Sequence, residues 1–112
     1  MIRLASLVLL TSFVYAHDHN PSLDAWYKSL RNIAGSSCCD GSDAKSVLDP
    51  DWEFVRDEVE FPYKVKYIGV WHKVHRERVV KDNNRTGIAK VWPVVQTQGW
   101  VDINCFLPGS GS

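Results

Sequence analysis

After its first fourteen residues the chain has no apolar run approaching the roughly 20 residues that a membrane-spanning helix needs. It has no charge surplus either. Thirteen Lys and Arg balance thirteen Asp and Glu, which excludes a global pull toward nucleic acid or anionic lipid. Glycine-rich phosphate cradles, a Gly-x-Ser-x-Gly elbow and a His-Glu-x-x-His helix are missing, so phosphate-cradling, serine-hydrolase and zinc-protease chemistry have no motif to stand on. Cysteine is scarce and odd in number: Cys38, Cys39 and Cys105 are the three. The adjacent pair lacks the two-to-four-residue spacing of zinc knuckles. No internal repeat appears beyond two hairpin-like units.

What is present begins at the amino terminus. Arg3 supplies a positive start, Leu4 to Val14 is an almost unbroken apolar run, and Val14-Tyr15-Ala16 puts small residues where a signal peptidase reads them. Residues 1–16 therefore read as a secretory signal peptide, and no cysteine follows the cleavage point to take a lipid. Removing 16 of the 112 residues leaves 96, enough for one core that buries roughly 60–65% of the unfolded surface. The expected organisation is a single globular domain over 17–108 and a flexible tail over 109–112. It is expected to be periplasmic or secreted and not membrane-spanning after processing.

Export exposes the thiols to oxidation, and a long-range bridge contributes about 2–4 kcal/mol. Three pairings exist: Cys38 with Cys105, Cys39 with Cys105, or Cys38 with its neighbour Cys39. The adjacent ring needs unusual backbone geometry, so a bridge to Cys105 is expected from one of the two neighbours, with one thiol left over.

Asn20-Pro21 reads as a helix start, with a capping side chain before proline at the first helical position. Leu23, Trp26, Leu30 and Ile33 continue at spacings of three and four, and Gly35 is the stop. Ser36 to Asp51 reads as an ordered loop held by cysteine. The period then changes to two. Trp52 to Arg56 and Tyr63 to Tyr67 read as strands, Gly69 as a turn, and Val70 to His75 as the hairpin partner. Asp82 to Gly87 is a polar loop. Ile88 to Val95, interrupted by Pro93, and Trp100 to Phe106 form the second hairpin, with Val101, Ile103 and Cys105 expected on one face. The fold class is α+β: one N-terminal helix packed on a small twisted antiparallel sheet of about five strands, stapled by a disulfide.

Four stretches carry a likeness: Trp26-Tyr27-Lys28-Ser29-Leu30, Ser37-Cys38-Cys39-Asp40-Gly41-Ser42-Asp43-Ala44, Asp51-Trp52-Glu53, and Asn104-Cys105-Phe106-Leu107-Pro108-Gly109-Ser110. Together they resemble small exported, cysteine-containing proteins of unknown function from rhizobia and related alphaproteobacteria, over most of the chain after the leader. The resemblance implies an exported, disulfide-bearing domain and brings no activity with it. Some of those proteins carry a further cysteine at the position of Ala44, which implies that half of a bridge is missing in this chain.

Charge is unevenly spread. Asp40 to Glu60 holds eight acids and two bases, while Lys64 to Lys90 holds eight bases and two acids. Acidic and basic strands facing each other in one sheet account for this in the ordinary way. The sharper reading is a basic surface for a phosphate group or polysaccharide. Trp71, Trp92 and Trp100 lie in separate strands and are expected in the core. If they instead form an exposed strip beside Lys64, Lys66, Lys73, Arg76 and Arg78, sugar or peptide binding follows, and alternation makes Trp71, Lys73 and His75 its most concrete segment.

Processing after Ala16 would leave His17-Asp18-His19 at the terminus. Its amine, two backbone nitrogens and third-residue imidazole suit Cu(II) or Ni(II) in a square plane. His72 and His75, three apart on a strand, fall on opposite faces and are poor co-ligands. A leftover thiol paired with histidine would make a nucleophile, but no spacing places a base beside Cys38 or Cys39. The acids between Asp40 and Glu60 read as hydrated loop residues. The leading expectation is a non-enzymatic domain that binds a protein or polysaccharide of the cell envelope, and not nucleic acid. A copper-binding protein using His17 and His19 comes second, and a cysteine-dependent enzyme third.

Overall fold

The computed structural model describes residues 23–110, so the leader, the Asn20-Pro21 helix start and the last two residues lie outside it. Within that span one short helix, α1 (Asp24–Ser29), precedes six strands: β1 (Lys45–Val47), β2 (Trp52–Phe54), β3 (Tyr63–Tyr67), β4 (Val70–Val74), β5 (Ala89–Val95) and β6 (Val101–Leu107). They form two antiparallel sheets of three, ordered β1-β5-β6 and β2-β3-β4. The expected α+β fold, a long helix on one sheet of about five strands, is therefore corrected to a mostly β architecture.

The helix stops early because better hydrogen bonds are available outside it. Leu30 turns to extended geometry, with ψ at 137°. Its carbonyl accepts from the Cys38 N–H at 3.1 Å, where a longer helix would have kept it for residue 34. Asn32 then works as a clamp: its amide donates to the Asn104 carbonyl at 2.8 Å, and its side-chain oxygen accepts from the Ser36 N–H at 3.0 Å. Gly35, the expected helix stop, instead serves a tight turn at φ +92°, between Arg31 and Ser37, which bridge. Ile33, assigned by its spacing to the buried stripe, ends 48% exposed. The loop expected over Ser36–Asp51 also contains β1, whose three residues bury only Val47, too little for periodicity to reveal.

The β1-β5-β6 sheet is the partition of the fold. On one side α1 and the cysteine loop bring Trp26, Tyr27, Leu30 and Cys38 onto Trp92, Cys105 and Leu107. On the other, β3 and β4 bring Val65 and Val74 onto Val47, Val91, Ile103 and Phe106. A bulge makes this division possible. Pro93 has no N–H for the ladder, and the register slips between Trp92, opposite Cys105, and Pro93, opposite Ile103, leaving Asn104 as the extra residue. The slip reverses the face: Ile103 joins Phe106 on one side and Cys105 joins Leu107 on the other. The expectation that Ile103 and Cys105 share a face is corrected for this reason, since strict alternation fails across a bulge.

The disulfide is Cys38–Cys105, fully buried, and it leaves Cys39 free and exposed. Such a bridge belongs to an oxidising, non-cytoplasmic location. Among the described residues no helix is long and apolar enough to cross a membrane. At the carboxyl end, the Ser110 N–H donates to the Gly87 carbonyl at 3.2 Å, while residues 111–112 lie outside the described span.

Candidate functional site

Alternation in β2-β3-β4 separates a core side from an open side. Val65 and Val74 are fully buried on the first. Register then places Glu53, Lys64 and Lys73 in one row across the three strands, and Lys66 opposite Trp71 in the next. All five are thus on the same outer face, because residues paired across a ladder point to the same side. The acidic and basic segments do meet here, through one pair: Lys64 Nζ lies 3.8 Å from Glu53 Oε1.

The lysines surround an aromatic ring. Trp71 is 41% exposed, and Lys64 Nζ stands 4.9 Å from its ring centroid, within cation–π range. Lys73 Nζ stands 5.6 Å from the Phe61 ring, whose edge-on partner at 5.4 Å is His75. His75 lies just past β4 and caps the short 3₁₀ turn Arg76–Arg78, its Nδ1 accepting from the Glu77 N–H at 3.2 Å. That bond puts the neutral ring's proton on Nε2, which faces Glu60 Oε2 at 3.7 Å.

Lys73 also belongs to an open groove of about 380 Å³ that runs from β4 to the second sheet. Phe61, His75 and Arg78 line it beside Lys73. Val94, Gln96, Asp102, Ile103 and Asn104 of the β5–β6 side form the other wall. Gln96 Nε2 donates to Asp102 Oδ2 at 2.7 Å and so engages the acid of that wall. These opposite-wall residues were not recoverable from sequence. Asp102 and Asn104 showed only as polar positions in an apolar strand, and nothing indicated what they would face.

The sequence-derived set therefore divides. Lys64, Lys66, Trp71 and Lys73 share the outer face, and His75 and Arg78 join Lys73 in the groove. Arg76 lines a different hollow of about 510 Å³ with Ile33, Pro62, Tyr63, Val79 and Lys81. Burial there pushes the Tyr63 phenol pKa up. Of the three strand tryptophans expected in the core, only Trp92 is there, 2% exposed, with its indole N–H donating to the Asp40 carbonyl at 3.1 Å. Trp100 is 61% exposed near the β5–β6 turn, so the expectation for it and for Trp71 is corrected. Among the described residues no second layer of the fold reaches either ring.

His17 and His19 lie outside the described residues. Among the described residues no group of three or more His, Cys, Asp or Glu is arranged to hold a metal ion. His72 and His75 stay apart: His72 pairs with Val65 within the strand ladder, and His75 caps its turn. Around Cys39, the hydrogen bond present is its backbone N–H donating to Ser37 Oγ at 3.1 Å, and the thiol has no histidine or carboxylate bonded to it among the described residues. No family model matches the chain, and neither the curated proteins nor the solved structures hold a significant match to it.

Proposed function

We propose that the chain is an exported, non-enzymatic binding domain, periplasmic or secreted, whose β2-β3-β4 outer face engages an anionic macromolecule of the cell envelope. The observation that carries this reading is Trp71, left 41% exposed on a strand with the Lys64 amine over its ring and Lys66 and Lys73 beside it. An indole in the open costs hydration that a core position would have removed, and a flanking cation suits it to a ligand with one apolar and one anionic side. The leader read from Arg3 to Ala16 and the Cys38–Cys105 bridge both support export.

The test uses the processed protein beginning at His17, with polyglutamate and polygalacturonate as probes. Binding should weaken about tenfold or more when salt is raised from about 0.05 M to 0.5 M, because exposed charges are screened over that range. Reversing Lys64, Lys66 and Lys73 to Glu together should abolish it, and Trp71→Ala should weaken it by about tenfold, near 1.4 kcal/mol. Binding of both polymers that ignores salt and all four substitutions would overturn the assignment to this face.

A further inference from the structure

The turn between β3 and β4 fixes which backbone groups of β4 are free to pair. Ile68 and Gly69 have φ of 52° and 73°, the signature of a two-residue type I′ hairpin turn. Tyr67 and Val70, which close that turn, are therefore a hydrogen-bonded pair, and bonding alternates from there. Val65–His72 and Tyr63–Val74 exchange bonds, whereas Lys66–Trp71 and Lys64–Lys73 do not. The N–H and C=O groups of Trp71 and Lys73 are thus directed away from β3, toward the outer edge of a strand that is last in its sheet. The groove lies at this same edge, with Lys73 on one wall and Asp102 to Asn104 of β6 on the other.

We propose that β4 accepts an extended acidic peptide of a partner protein as an added strand, held by the Trp71 and Lys73 backbone and by the lysines of the outer face. This rests on the reading of that face as a binding surface and names the partner's chemistry. Strand addition supplies main-chain hydrogen bonds for affinity and alternate side chains for specificity. Residues of the incoming strand on the outer face would lie beside Trp71 and Lys73, with the Lys64 amine over the Trp71 ring and Lys66 on the strand behind, so that half of the alternation is acidic. The other half turns toward the groove, where Phe61, Val94 and Ile103 favour apolar side chains. A second copy of β4 is the wrong occupant. β4 itself offers Trp71 and Lys73 on the outer face and no acid, so a second copy would add cations beside Lys64, Lys66 and Lys73 with nothing to neutralise them.

The experiment is an NMR titration of the ¹⁵N-labelled processed protein with acetyl-(Glu-Val)₄-amide. The Trp71 and Lys73 amides should shift most, and their hydrogen exchange should slow about tenfold or more at saturation. Methylating the peptide nitrogens at every second residue, in whichever of the two frames faces β4, should weaken binding about tenfold, since the charges stay and the ladder bonds go. Lys73→Pro should do the same with the ladder amides of Val65 and His72 unchanged, because proline is tolerated where an edge N–H faces out. Lys73→Gln, which removes only charge, should lose about threefold or less. If both methylated frames and the Lys73→Pro variant bind like the unmodified pair, or polygalacturonate competes equally per charge, strand addition is wrong and the basic face survives. Concentration-dependent shifts of the same amides without peptide would replace the acidic partner by a second copy. Failure of peptide and polygalacturonate alike to bind at about 1 mM would remove both readings.

Discussion

The carboxylate of Asp40 accepts from the hydroxyl and from the backbone N–H of Ser42, and these two bonds hold its pKa below the ordinary carboxylate value. The arrangement matters because the Asp40 carbonyl also receives the Trp92 indole N–H, so this residue joins the Cys38–Cys105 bridge in docking the cysteine loop on the core. A pKa depressed in the folded state means stabilisation that is complete above the unfolded value and is lost as pH falls through the folded one. Ser42→Ala removes the larger of the two bonds. Its Asp40 should titrate closer to the ordinary value when followed by carboxyl-carbon NMR, and its acid unfolding should begin at higher pH. An Asp40 curve identical in the two proteins would show that the hydroxyl does not set its charge. Trp71 makes the complementary point. Alternation puts it on a face with Lys73, whereas its place against Lys64 and Lys66 depends on the hairpin register and its exposure on what covers the sheet, which no local pattern encodes.

At the scale of the element, the hairpin β3–β4 contains a residue in the wrong conformation for its type. Ile68 is β-branched, 73% exposed, and sits at φ 52°, a region that favours glycine and asparagine. Ile68→Asn creates the Asn-Gly pair preferred in type I′ turns and should stabilise the domain by about 1 kcal/mol, read as a higher denaturant midpoint at unchanged m-value. A loss of stability would mean that the isoleucine side chain makes contacts worth more than its backbone strain. This hairpin was the most readable part of the sequence, because Tyr63 to Tyr67 alternates cleanly and Gly69 marks the turn. The helix is shorter than its spacing implies for an equally specific reason. Spacing extends it through Ile33, but Asn32 and the Cys38–Cys105 bridge tie that backbone to β6, and such long-range bonds leave no trace in a local period. The groove is illegible from sequence on the same ground, since its walls come from strands about thirty residues apart.

In the whole molecule the central sheet couples the two halves, since both apolar clusters are built on its two faces. Trp92, Cys105 and Leu107 serve one cluster, and Val91, Ile103 and Phe106 the other, from the same two strands. Neither cluster can come apart without exposing the back of the other. The bridge closes 67 residues of chain separation, and removing it from a domain this small should cost about 2–4 kcal/mol out of the roughly 5–15 typical of a folded protein. Replacing all three cysteines by serine avoids mispairing through Cys39 and isolates that loss. Although Cys38 and Cys105 touch only the helix-side cluster, the destabilisation should appear equally on both sides. Methyl NMR of Leu30 and Leu107 on the helix side, and of Val65 and Val74 across the sheet, should report one shared, lowered midpoint. If the valine signals kept their original midpoint while those of Leu30 and Leu107 fell early, the two faces would be separate folding units, and β5 and β6 would not couple them.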